Sequence, residues 1–213
     1  MTSEGGAPSG GDIAAAILRH VTADDYAREN PEIDDPNVFS VSTLAWDWER
    51  QARFKCMRGP HVRAAANFDM FRGKAVHEFL QKRFVAEGWV AELKLSEYLD
   101  VYVGDRRVRL IGHVDLYEPS TGTVLELKSS VWSDGIAEGY IVQAGTYAAM
   151  LRNARFRVGG VHVAKINSKV TVYTLSEDDV ARAYATVVGR ARLAADAVTK
   201  CLNSPTLDSY RDV

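Results

Sequence analysis

Residues 108–130 read VRLIGHVDLYEPSTGTVLELKSS, and no other stretch constrains the fold as much. Val108, Leu110, Gly112, Val114 and Leu116 alternate with Arg109, Ile111, His113, Asp115 and Tyr117, the period of a strand with two unlike faces. Glu118-Pro119-Ser120-Thr121-Gly122 supplies turn residues, and residues 123–128 read as a second strand. In that strand Glu126 and Lys128 share a face, about 6–7 Å apart, while Leu125 and Leu127 take the other. Pairing the two strands brings Asp115 to the edge that carries Glu126. A hard divalent cation calls for such a gathering of oxygens, and a phosphodiester beside it calls for a cationic group and an oriented water. On spacing alone, solvated strand-end carboxylates explain Asp115, Glu126 and Lys128 equally well, so the rest of the chain has to decide.

With 213 residues the chain suits one domain with a substantial core, and its net charge of −2 gives no global sign of nucleic-acid binding. Cys56 and Cys201 stand far apart, form no C-x-x-C pair and follow no apolar secretion segment, so free thiols in a reducing cytoplasm are expected. The run IAAAIL is far short of a membrane span. Residues 1–39 read as a flexible segment with a short helix capped by Asp12, residues 40–201 as a single domain, and residues 202–213 as an irregular tail. Six acids between Asp24 and Asp35 read as a solvated linker.

A helix capped by Ser42 is expected to run through Trp46, Trp48 and Phe54. Across it and beyond, the charge changes sign: Arg50, Arg53, Lys55, Arg58, Arg63, Arg72 and Lys74 face only Asp69, a local charge of +6. Interleaved with Trp48, Phe54 and Phe68, these cations form either a phosphate-binding patch or a solvated face balancing the acidic linker. Residues 68–85 have helical periodicity, with Val76, Phe79, Leu80 and Phe84 as the apolar stripe and His77 at its margin. Strands are expected at 89–97 and 99–103, with 104–107 as the turn, and Glu92 is either a further carboxylate of the cluster or an exposed strand residue. Residues 140–151 form a helix that stacks Gln143 over Tyr147, by the ordinary reading a helix surface with a half-buried tyrosine. Strands at 158–165 and 169–175 follow, and then a helix from Ser176, whose S-E-D-D supplies a cap and acids at the positive end of the dipole. The order implies an α/β (α+β mixed) fold with a central mixed sheet flanked by helices.

His77 in GKAVHEF, Asp115 in GHVD, Glu126-Leu127-Lys128 in LELKSS, and Gln143 with Tyr147 in QAGTY stand in one order. Together they resemble the PD-(D/E)XK nuclease superfamily, most closely its Cas4 and RecB-nuclease branch, over roughly residues 40–175. The resemblance implies a restriction-endonuclease-like core. It also implies that His77, Asp115, Glu126 and the Leu127 carbonyl bind Mg²⁺ or Mn²⁺, and that Lys128 orients or deprotonates the attacking water. Gln143 and Tyr147 would shape the site and contact DNA, with Arg50, Arg53, Lys55, Arg72 and Lys74 guiding the strand. The branch typically holds an iron–sulfur cluster on four cysteines. Here Gln51-Ala52 stands where a Cys-Pro is expected, and two thiols cannot complete the set, so no cluster is expected.

The expected function is therefore a metal-dependent deoxyribonuclease, an exonuclease on single-stranded DNA or DNA ends that leaves 5′-phosphate and 3′-hydroxyl products. One alternative is an endonuclease of the same fold that processes branched structures or ends. Another is a catalytically silent DNA-binding or complex-forming module. No surface pattern assigns a protein partner or an oligomeric state.

Overall fold

The hairpin read from residues 108–128 becomes the centre of a mixed sheet. The computed structural model describes residues 35–56, 68–129 and 135–204. Within them lie strands β1 (Val38–Ser40), β2 (Val90–Val103), β3 (Arg106–Glu118), β4 (Thr123–Lys128), β5 (Gly160–Ile166) and β6 (Val170–Thr174). The helices are α1 (Val41–Leu44), α2 (Trp48–Cys56), α3 (Phe68–Ala86), α4 (Glu138–Asn153) and α5 (Glu177–Asn203). The helix expected after Asp12, the acidic linker before Asp35, Arg58, Arg63, the Phe68 side chain and the C-terminal tail lie outside the described residues.

Strand β3 is the hub. Its residues 109–111 pair with β1 in parallel and with β2 antiparallel, while Leu116 and Tyr117 pair with β4 and with β2. Strands β1 and β4 therefore share the edge of β3 that β2 does not take. Beyond β4 the sheet continues to β5 in parallel and to β6 antiparallel. A parallel step needs a crossover, and α4 makes it. The turn between β3 and β4 is held by the Glu118 carboxylate, which accepts the N–H groups of Ser120 (2.9 Å) and Thr121 (2.7 Å).

One face of the sheet packs against α4, α5 and α1 through Val108, Leu110, Val114, Val124, Val161 and Val163. Helix α3 covers the other face, where Leu80 and Phe84 meet Leu116, Leu127 and Ala164. Leu116 thus departs from the expected alternation: Val114 lies under α4 and α5, Leu116 under α3. The partner strand changes phase at the same place, with Leu93 on the first face and Ala91 on the second. Between these pairs stand Asp115 and Glu92, and Glu92 has a φ of +50°, a left-handed conformation that is costly for a residue with a Cβ.

Several local expectations are corrected. The two strands expected before Val103 are one strand with an irregularity between Tyr98 and Tyr102, and β3 already begins at Arg106. The helix expected to run from Ser42 through Phe54 is two helices. The Arg50 N–H donates to Asp47 Oδ1 (3.0 Å), so Asp47 caps α2, while Ser42 Oγ is hydrogen-bonded to Ser40 Oγ (2.8 Å). Arg190 of α5 takes up the carbonyls left at the end of α1, donating to Leu44 O (3.0 Å) and Ala45 O (2.6 Å). Phe79 leaves the expected stripe and is 59% exposed, with the Arg83 guanidinium over its ring.

Where caps are encoded locally, the elements end as their chemistry dictates. Gly88, with φ +95°, closes α3: the N–H of Gly88 donates to Val85 O (3.0 Å) and that of Trp89 to Phe84 O (3.1 Å), and the Phe84 and Trp89 rings meet edge to face. At α5, Ser176 Oγ accepts the Asp179 N–H and Asp179 Oδ2 accepts the Ser176 N–H, a reciprocal capping box.

Candidate active site at the sheet fork

Strand β1 leaves β3 at Ile111 and β4 joins it only at Leu116. Residues 112–115 therefore have no strand on that edge among the described residues, and the sheet opens into a fork. The next pair of the β3–β4 ladder would set Asp115 opposite Glu126. Instead the Asp115 side chain takes the place of a backbone acceptor, and the Leu127 N–H donates to its Oδ2 (2.7 Å).

Glu126 is wholly buried, and its Oε1 accepts from Lys128 Nζ (2.6 Å) and from Gln143 Nε2 (2.7 Å). Gln143 also donates to the Tyr147 hydroxyl (3.2 Å). Both side chains of the Q-x-x-x-Y helix are buried under the fork, which corrects the reading of an ordinary helix surface. They fit because β3 has Gly112 there: a Cβ would lie 2.4 Å from Tyr147 Cε1. From the other face α3 brings His77, whose Nδ1 is 3.8 Å from Asp115 Oδ1. Glu92 is exposed, sits across β2 from Asp115, and accepts from Gln81 Nε2 (2.6 Å).

The electrostatics follow from burial. Burial pushes Glu126 up to about 8; Lys128 opposes the rise, and the Asp115 charge adds to it. Burial also raises Asp115, against the pull of Lys128 and His77 and of the Leu127 N–H, with Glu92 adding a smaller push upward. Burial works against the Lys128 charge, but Glu126 and Asp115 outweigh it and hold the ammonium above its ordinary range. Two buried carboxylates thus compete for one lysine. Among the described residues Glu126 Oε2 is buried with no hydrogen-bond partner, as are Asn37 Oδ1 and Glu97 Oε2, and a buried polar atom of this kind calls for a physical explanation.

That Glu126 oxygen and the neighbouring Asp115 fit a magnesium-type ion, which is commonly held by one or two carboxylates with water and substrate phosphate completing its shell. Among the described residues no group of three or more His, Cys, Asp or Glu side chains is placed to hold a metal ion.

The basic residues divide between two elements. Arg50, Arg53 and Lys55 lie on α2, which packs on α5, and Arg72 and Lys74 lie on α3, which packs on β2, β3 and β4. Arg53 pairs with Glu49 (3.1 Å), and Lys55 donates to Asp35 O (2.8 Å). Trp48, interleaved with these cations in the sequence, is partly buried and packs against the core.

Three residues near the site were not singled out by the sequence reading. Gln81 lies one helical turn after His77, and Tyr140, whose ring carries Lys128 Nζ at 5.2 Å, shares a helix face with Gln143 and Tyr147, so both had a periodic signal. Lys165, in register beside Lys128 and 1% exposed, donates to Gly135 O (2.9 Å) and had none.

The described sheet and helices are consistent with a restriction-endonuclease-like core. No protein-family model matches the chain, and no curated protein does. The solved structure of SSO0001 superposes with a TM-score of 0.53 at 14% identity, covering 83% of this chain and 86% of that one. A "putative exonuclease" from Eubacterium rectale gives a TM-score of 0.47 at 12% identity, covering 81% and 86%. The likeness to SSO0001 is one of fold. No helix among the described residues is long and apolar enough to cross a membrane.

Proposed function

We propose that the chain is a divalent-metal-dependent deoxyribonuclease of the PD-(D/E)XK type, acting as an exonuclease on single strands or DNA ends and leaving 5′-phosphate and 3′-hydroxyl products. The observation that carries this reading is the buried Glu126, one oxygen bound by Lys128 and Gln143 and the other unpartnered beside Asp115. Two carboxylates crowded at the open fork of a sheet cost stability unless a further positive charge is received there.

Asp115 and Glu126, with His77 and the Leu127 carbonyl, would hold Mg²⁺ or Mn²⁺. When bound, such an ion polarises the phosphoryl oxygen and lowers the pKa of coordinated water. Gln143 and Tyr147 fix the Glu126 carboxylate from below, so its free oxygen is presented without rearrangement. Lys128 keeps its charge, and its Nζ would orient the attacking water and offset charge developing on the phosphate. Arg50, Arg53, Lys55, Arg72 and Lys74 would take the backbone on either side.

The Lys128–Glu126 contact at 2.6 Å also favours a second reading, a DNA-binding module in which the lysine replaces the ion and no turnover occurs. End-labelled linear and closed circular single-stranded DNA, incubated with Mn²⁺ or EDTA beside Lys128→Ala, separates the readings. Mn²⁺-dependent loss of the linear strand alone, absent in the variant, is expected. Cutting of the circle makes the enzyme an endonuclease, and intact DNA in every lane from folded protein refutes catalysis.

A further inference from the structure

Lys128 does not sit alone at the mouth of the fork. Its Nζ lies over the Tyr140 ring (5.2 Å), and Trp46 packs edge to face on Tyr140 with centroids 5.0 Å apart. Trp46 nevertheless keeps 50% of its surface exposed. An indole half in water would ordinarily be held loosely, yet this one is built in. Its ring covers Gly139, where any Cβ would lie 2.5 Å from the indole carbons. The turn that carries it is anchored by Arg190 at Leu44 O and Ala45 O, and by the Trp46 and Asp47 N–H groups donating to Thr43 O (3.1 and 2.9 Å). One turn further on stands the exposed Arg50, and after it Phe54, 40% exposed with the Arg50 guanidinium over its ring at 5.4 Å.

A rigid, exposed aromatic ring, flanked by cations and in continuity with a phosphate-binding lysine, has the elements of a single-strand track: cations for the backbone, π-faces for unpaired bases. We propose that Trp46 is a stacking platform for an unpaired base of single-stranded DNA, next to the phosphate held at Lys128. The inference rests on the proposed function in taking Lys128 as the phosphate position. A base paired in a duplex has both faces covered by its neighbours, so the platform selects single strands or frayed ends.

Binding in EDTA, with no turnover, tests it. The full chain is titrated onto a fluorescein-labelled oligothymidylate, and onto a strand of equal length made of abasic deoxyribose phosphates, with anisotropy as the readout. The variants are Trp46→Leu, which keeps apolar cover over Gly139 but has no π-face, and Trp46→Phe, which keeps a smaller one. The quantity compared is the ratio of the two affinities within each protein, which a loss of folded material does not move. Wild type should prefer the strand with bases, Trp46→Leu should lose roughly 5- to 150-fold of that preference, the worth of one stacked base, and Trp46→Phe should lose less. A ratio unchanged in Trp46→Leu, or a wild type that binds both strands alike or neither, overturns the inference. Cutting is judged separately at Lys128. A protein that cuts DNA but shows no change in ratio loses only the platform, and one that shows the change but never cuts loses only the catalytic reading.

Discussion

Replacing Glu126 by Gln should change the pH dependence of stability in a direction the buried site dictates. In the metal-free protein Glu126 is raised from 4.5 to about 8, so between these values the folded chain holds a proton that the unfolded chain has released. Stability then changes with pH by about −1.4 kcal/mol per unit for this group. Its contribution is fully present below pH 4.5 and is lost as pH rises through about 8. The full interval corresponds to at most about 5 kcal/mol, and about 2–5 kcal/mol is expected once Lys128 shares the titration. Glutamine keeps an oxygen for Lys128 and Gln143 but leaves a buried amide where Glu126 Oε2 has no partner. That offset, roughly 1–3 kcal/mol, is the same at every pH and leaves the slope untouched. Urea unfolding of both proteins in EDTA, from pH 5 to pH 9, reads the difference directly. Wild type should lose ground against Glu126→Gln as pH rises and level off above about 8. A difference that stays constant over that range would refute the claim that burial disfavours this carboxylate.

Gly112→Ala should lower stability by roughly 1–3 kcal/mol, read as a fall in melting temperature, because its Cβ meets the Tyr147 ring 2.4 Å away; an unchanged melt would mean that the ring is not confined. Ser176→Ala should cost about 1 kcal/mol by denaturant unfolding, since it removes the acceptor for the Asp179 N–H at the start of α5. The two thiols should stay unreactive toward an aromatic disulfide reagent in the native protein at pH 8 and react fully in denaturant. Both are buried, and burial, with Cys201 beside it, pushes the Cys56 thiol up to about 12. Rapid labelling of the folded chain would contradict that placement.

Much of the site is legible along the chain because its chemistry is local. Glu126 and Lys128 share a strand face by period alone, and the Ser176 box and the turn after Glu118 are written in neighbouring residues. Gln81 was readable too, one turn from His77 on α3, and so was the Asp47 cap that divides α1 from α2 and leaves Trp46 in the turn. Strand β1, three residues long, shows no alternation to read, yet it creates the fork by pairing with residues 109–111 only.

The amino-acid order by itself determined the alternating strands, the carboxylate and lysine on one face, and the stacked Gln143 and Tyr147, because each depends on backbone periods of two or 3.6 residues. Tertiary structure alone decided that Gln143 and Tyr147 are buried, since α4 is enclosed between the sheet and α5. It also decided that Leu116 turns toward α3, because β2 and β3 change phase together at Glu92 and Asp115, an event that needs both strands. The raised pKa values of Glu126 and Asp115 belong to the same level: desolvation is a property of what covers a side chain, which no stretch of sequence contains.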